Sequence, residues 1–223
     1  MIKNYAPLSF FVDKLLQSIN FKFLRFGDGE FFCARGLPHD LGDGEHEIFP
    51  EVVNEYRNIL KNLNPKHYNA IQGLVSTIPE IQEFIPDYKN WYYADVLHYA
   101  SIKGEIYPFF KALNHRITVI IGNERTKKIN YFINYSDYIC IRDISCYYDY
   151  DFVLEKINEY PAGTIFVLAA SLLSVPLIYH TKREDCTFID VGSLFEPYIK
   201  SYTRTYHSEM SQETINKNLG LGI

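Results

Sequence analysis

Phe21-Lys22-Phe23-Leu24-Arg25-Phe26 runs straight into Gly27-Asp28-Gly29-Glu30. The first six residues are mostly apolar and predict a strand; the next four form a tight acidic loop. The same change of character recurs along the second half of the chain. Ile117–Ile121 ends at Gly122-Asn123, and Tyr138–Ile141 ends at Arg142-Asp143. Thr164–Leu168 leads into Ala169-Ala170-Ser171, and Thr187–Val191 leads into Gly192-Ser193. Stretches with helical spacing lie between these runs. Ser9 is placed to cap a helix carrying Phe11, Val12, Leu15, Leu16 and Ile19, and Pro50 to open one carrying Val52, Tyr56, Ile59 and Leu60. Pro79 opens a short helix to about Ile85, and Ala94–Leu113 reads as helix broken near Gly104 and Pro108. Further helices are expected from Glu124 to about Ile133, over Asp149–Glu159 and over Ser171–His180. Apolar strands alternating with helices predict an α/β fold. The expected sheet is mostly parallel, with helices on both faces.

Ligands of such sheets bind beyond the carboxyl ends of the strands. The candidate residues are therefore Gly27-Asp28-Gly29-Glu30, Gly122-Asn123, Arg142-Asp143, Ser171 and Asp190 with Gly192-Ser193. Turn chemistry alone favours many of the same residue types.

Length and composition bound the rest. The 223 residues suit a single domain spanning 1–223, and 47% apolar with 22% charged residues is ordinary for a globular protein. A net charge of −5 gives no basic surplus for gripping long nucleic acid through its phosphates. Aromatic residues reach 16%, enough to supply stacking platforms as well as core, although low-GC codon usage explains the same excess. Cys33, Cys140, Cys146 and Cys186 include no CxxC pair, which argues against structural zinc and thioredoxin chemistry. The opening MIKNYAPLSF has no apolar signal core, so reduced thiols and a cytoplasmic location are expected. Pro161–Tyr179 carries no charge but contains Gly163, Pro176 and two serines, and reads as buried strand and helix, not as a membrane span.

In Arg25-Phe26-Gly27-Asp28-Gly29-Glu30, two carboxylates two residues apart can converge on one cation if the backbone turns, as Gly27 and Gly29 allow. Oxygen ligands suit Mg²⁺ or Mn²⁺, which would bridge to a diphosphate. Arg25 could bind a phosphate or brace a carboxylate. The alternative is a turn in which Asp28 caps a helix and Glu30 is exposed. Gly42-Asp43-Gly44-Glu45 repeats the tetrapeptide but follows no strand, so it reads as a solvated acidic loop, with His39 and His46 beside it.

The segment Arg25–Glu30, directly after a strand, resembles the signature of the GT-D-fold glycosyltransferases. The strand into Gly122-Asn123, the stretch Phe188–Tyr198 and the tail Thr203-Arg204-Thr205-Tyr206-His207 resemble further parts of that family. The resemblance implies a Rossmann-like single domain and a divalent metal, usually Mn²⁺, at Asp28 and Glu30. It also implies sugar transfer from a nucleotide-sugar donor, with UDP-glucose the best-known donor, onto a glycan or glycoprotein. Modified DNA stays open as an acceptor, disfavoured by the acidic balance. Family members often have a glycine-containing turn where this chain has Ala169-Ala170-Ser171, which bears on the shape of the donor pocket.

Within that frame Asp190 is the first candidate for the base that takes the acceptor's proton, against a turn-capping role; Glu196 competes, or starts a helix with Pro197. His207 could touch phosphate, metal or acceptor, and Arg204 could clamp a phosphate. Ser171 and Asn123 could each bind diphosphate at a helix start or simply cap it. Trp91, Tyr92 and Tyr93 could stack a sugar or fill core. A metal-dependent phosphohydrolase or nuclease, and a non-catalytic nucleotide-binding module, stay as alternatives. The sequence contains no Walker A, GxGxxG, HExxH or GxSxG pattern.

Overall fold

A computed structural model of the chain describes residues 4–37, 48–80, 90–201 and 205–221. Among them seven strands form one sheet: β1 (Lys22–Phe26), β2 (Tyr68–Ile71), β3 (Tyr92–Tyr93), β4 (Thr118–Asn123), β5 (Asp137–Ile141), β6 (Ile165–Ala169) and β7 (Thr187–Asp190). Their order is β3-β2-β1-β7-β6-β4-β5, and every pairing is parallel. The strand order reverses direction after β3, which places a topological switch beside β1 and β7. That is where open sheets of this kind leave a crevice.

Both faces of the sheet are apolar because both are covered. Along β6, Ile165 and Val167 point to one face while Phe166 and Leu168 point to the other. The face of Phe166 packs under α2 (Asp28–Arg35), α3 (Pro50–Lys61), α6 (Tyr150–Glu159) and α7 (Ser174–His180). The opposite face packs under α1 (Leu8–Leu16), α4 (Val96–Ile102) and α5 (Tyr107–Leu113). Short helices α8 (Glu196–Ile199), α9 (Thr205–Ser208) and α10 (Gln212–Asn218) finish that layer. Buried Asn218 ties α10 down. It donates to the Ser101 carbonyl at 2.7 Å and to the Tyr198 hydroxyl at 2.9 Å, and it accepts from the Ile106 amide at 3.3 Å.

Several expectations are corrected. Ser9 does not cap α1; the helix begins at Leu8 with Pro7 at the cap, whose carbonyl accepts from the Phe10 amide at 3.0 Å. Proline's fixed φ already suits that position. The helix expected after Asn123 is present as a 3-10 helix, Glu124–Tyr131. Ser171–Leu173 is a separate 3-10 turn before α7. Strands β2 and β3 were not legible. β2 is four residues long with Asn69 in its middle, fully buried and bonded to the Asn64 carbonyl at 2.9 Å. β3 is two residues long. Trp91 is core, edge-on to Phe26 at 5.6 Å. The break expected near Gly104 is present, with Gly104 at φ +75°. The proposed helix from Pro79 to Ile85 falls mostly outside the described residues, as do the second acidic tetrapeptide, His39 and His46.

All four cysteines are free thiols, and only Cys140 is exposed. Among the described residues no helix is long and apolar enough to cross a membrane.

Phe166 stacks on Phe188 at 4.9 Å across β6 and β7, with Tyr160 edge-on at 5.5 Å. Phe166→Ala should cost about 3–5 kcal/mol of stability, read as a lowered urea midpoint with an unchanged slope.

Candidate active site

The carboxyl ends of β1, β4, β5, β6 and β7 open onto one cleft. Its acidic floor is built by the β1–α2 junction. Gly27 is the cap of α2, and Asp28 is the first helical residue. The Glu30 carboxylate turns back and accepts from the Gly27 amide at 2.8 Å, while Asp28 accepts from the Gly29 amide at 3.0 Å. A helix start favours both carboxylates, because its free N–H groups and dipole attract negative charge. A β-carbon on Gly27 would lie 3.3 Å from Glu30 Oε2 and 3.7 Å from Gln72 Oε1, so glycine lets these side chains close over the backbone.

Asp190, the last residue of β7, lies beneath this floor and is 3% exposed. It accepts from the Gly192 amide at 3.0 Å and does not line the cleft. Burial and the charge of Asp190 push the Glu30 carboxyl up to about 7, against the pull of the Gly27 amide and Arg25. Burial likewise pushes Asp190 up to about 6, with Arg25 and the Gly192 amide opposing. At both carboxyls burial outweighs the donors around them.

Arg25 is the cation that opposes both shifts. Its Nε donates to the Ala94 carbonyl at 3.2 Å, and Nη2 lies 3.6 Å from Asp95. The guanidinium lies over Gly192, where a β-carbon would fall 2.1 Å from Nη1, and Gly192 has φ +51°. Glycine is required there on both counts. On the far wall, Arg125 pairs with Asp143 at 3.4 Å and Arg142 with Asp149 at 3.0 Å. Asn123 caps the 3-10 helix by accepting from the Thr126 amide at 3.2 Å. Ser171 lines the cleft at φ +46°, a left-handed conformation that strains any residue but glycine.

Three solved structures share this architecture. One, described as a selenomethionine-substituted domain of unknown function 1792, superposes with a TM-score of 0.68 at 13% identity over 97% of this chain and 94% of that one. A second, described as that highly conserved domain with a distinct glycosyltransferase fold, gives 0.66 at 13% identity over 97% and 94%. A third, described as a new glycosyltransferase of this kind from Streptococcus sanguinis, gives 0.63 at 13% identity over 89% and 84%. The chain has this glycosyltransferase fold. No protein-family model and no curated protein sequence matches it.

On this glycosyltransferase fold, Arg25, Gly27, Asp28, Gly29, Glu30, Asn123, Ser171 and Gly192 come together at the cleft. Gly122 is set back. It leaves room for the Tyr138 hydroxyl, 2.9 Å from where its β-carbon would be, to reach the Asn123 carbonyl. His207 is also outside the lining, 3% exposed and 3.0 Å from Glu196, which does line it. Arg204 lies outside the described residues. Ser171 does not act as a side-chain cap, since the 3-10 turn begins on it. The expected alternative of an exposed Glu30 is not what the fold does with it. Sequence reading missed Gln72 and Arg125. Gln72 follows the unrecognised β2, and Arg125 lies inside the 3-10 helix, away from any strand end.

Among the described residues no three His, Cys, Asp or Glu side chains converge to hold a metal alone. Asp28 and Glu30 offer two carboxylates to the cleft, above buried Asp190. That set fits a hard cation that completes its oxygen shell from phosphate and water, the habit of Mg²⁺.

Two outcomes are expected. Gly192→Ala should lose about 2 kcal/mol through its left-handed backbone and the displaced Arg25, measurable by thermal unfolding. The raised Glu30 and Asp190 carboxyls mean that the folded state holds protons the unfolded chain releases. Stability should therefore fall as pH rises from about 4.5 to 7 in metal-free buffer. Glu30→Gln should flatten that fall and gain about 2 kcal/mol at pH 8 relative to wild type, seen in denaturant titrations at pH 5 and pH 8.

Proposed function

We propose that the protein is a metal-dependent glycosyltransferase that moves a sugar from a nucleotide-sugar donor to a hydroxyl acceptor. The observation that carries this reading is the carboxylate floor. Asp28 and Glu30 open onto a cleft at the switch point of a glycosyltransferase fold, above buried Asp190. A site so rich in carboxylate stabilises a bound cation, and Arg25, Arg125 and Arg142 around it supply the positive charge a diphosphate needs. Asp28 and Glu30 would hold Mn²⁺ or Mg²⁺, which when bound offsets the negative charge growing on the departing diphosphate.

The chain's own residues do the remaining work. Arg25, fixed by the Ala94 carbonyl and Asp95, sets a guanidinium beside the floor without having to reorganise. Gly27 and Gly192 leave room for Glu30, Gln72 and Arg25 to close over the backbone at the cleft floor. Asn123 and Ser171 form the opposite lip, where the donor's nucleoside would lie. UDP-glucose is the first donor to test, and a glycan or glycoprotein is the acceptor class. A soluble cytoplasmic enzyme is the corresponding cellular form.

Thermal stability with nucleoside diphosphates and nucleotide sugars, each with and without Mn²⁺, tests the proposal. One sugar nucleotide should raise the melting temperature only with metal, and Asp28→Asn should abolish the shift. Equal shifts in wild type and Asp28→Asn, or no shift with any compound, would sink it.

A further inference from the structure

We infer that Glu196 is the group that takes the acceptor's proton and that His207 is its positioning residue; the inference rests on the transferase reading above. In transfer to a hydroxyl, a carboxylate or imidazole facing the cleft is suited to receive that proton. Among the described residues four carboxylates line it: Asp28, Glu30, Asp143 and Glu196. Asp28 and Glu30 are turned to the α2 start, bonded to the Gly29 and Gly27 amides. Asp143 is half exposed at the rim and paired with Arg125 at 3.4 Å. Asp190 is sealed under the floor.

Glu196 follows β7 and has a buried histidine behind it. Its side chain is 17% exposed, in the cleft wall, and one oxygen lies 3.0 Å from His207 Nδ1. A carboxylate only accepts, so Nδ1 carries the proton and the tautomer of His207 is set. The imidazole is 3% exposed and lies parallel to the His98 ring at 6.3 Å and 11°. A buried ring held by a second buried ring has little freedom, and it fixes one oxygen of Glu196 while the carboxylate fronts the cleft. Glu196 follows the turn through Gly192, at φ +51°, and lines the same cleft as Asp28 and Glu30. An orienting partner behind a general base is a recurrent arrangement in proton-transfer sites.

In the step, the acceptor O–H gives its proton to Glu196 as the oxygen bonds to the sugar's anomeric carbon. The bond from that carbon to the diphosphate oxygen breaks, and its electron pair leaves with the diphosphate. Glu196 then releases the proton to solvent.

Donor turnover to water, with Mn²⁺ and a panel of nucleotide sugars, needs no identified acceptor. Glu196→Gln, which keeps an acceptor for His207, should lower kcat by about 10²–10⁴-fold while the donor KM stays within about twofold. Azide attacks the anomeric carbon without a proton to lose. It should restore nucleoside diphosphate release in Glu196→Gln and Glu196→Ala, yielding a glycosyl azide, and should not rescue Asp28→Asn. His207→Ala should lower kcat at constant donor KM, and His207→Asn, which keeps an N–H for Glu196, should recover most of it. Near-wild-type turnover by Glu196→Gln, or loss that azide cannot restore while the donor still raises the melting temperature, overturns the assignment and leaves the transferase reading standing. A wild type that turns over none of the nucleotide sugars overturns the transferase reading, and this assignment with it.

Discussion

The guanidinium of Arg25 is the contact on which the site depends. Arg25 belongs to β1, yet it reaches the Ala94 carbonyl and Asp95 after β3, and it covers Gly192 after β7. Three loops that leave the sheet at different strands are thereby held in one register. Its charge is also the main influence opposing the rise of the buried Asp190 carboxyl, and it adds to the amides of the α2 start that oppose the rise of Glu30. A lysine could supply the charge but not the planar fork that reaches a carbonyl and a carboxylate at once. The flat group also explains why position 192 has no side chain.

Around that anchor the site divides its tasks by depth. Asp190 is buried and structural in its hydrogen bonding, and it acts on the cleft through its field. Glu30 and Asp28 stand one layer higher, held by a helix start. The arginines of the far wall are paired at the rim, where solvent weakens each pair. A diphosphate could exchange places with those carboxylates at modest cost.

Much of this was legible before any coordinates. The strand before Gly27 and the four strands of the second half have long apolar runs ending in small or polar residues, and all of them lie in the sheet. The cleft residues at those ends follow from the rule for parallel sheets. Two-residue β3, and β2 with buried Asn69 at its centre, give no periodic signal, because pairing and burial there come from neighbours far along the chain. Gln72 was lost with β2. The depth of Asp190 was equally hidden: a strand-end aspartate looks the same in sequence whether it faces solvent or lies under a helix. The Glu196–His207 contact joins residues 11 apart across a turn, and only the fold shows that one fronts the cleft while the other stands behind it.

An open sheet of seven strands has two free margins, and both are protected against polymerisation. At one margin β3 offers only two residues, with Asn4 already bridged to Tyr92. At the other, β5 presents exposed Asp137, bonded to the Tyr160 hydroxyl, and Cys140 beside Glu124. A strand from a second molecule would have to bury these acidic groups to extend the sheet. One short border and one acidic border therefore disfavour fibre growth when the protein is concentrated.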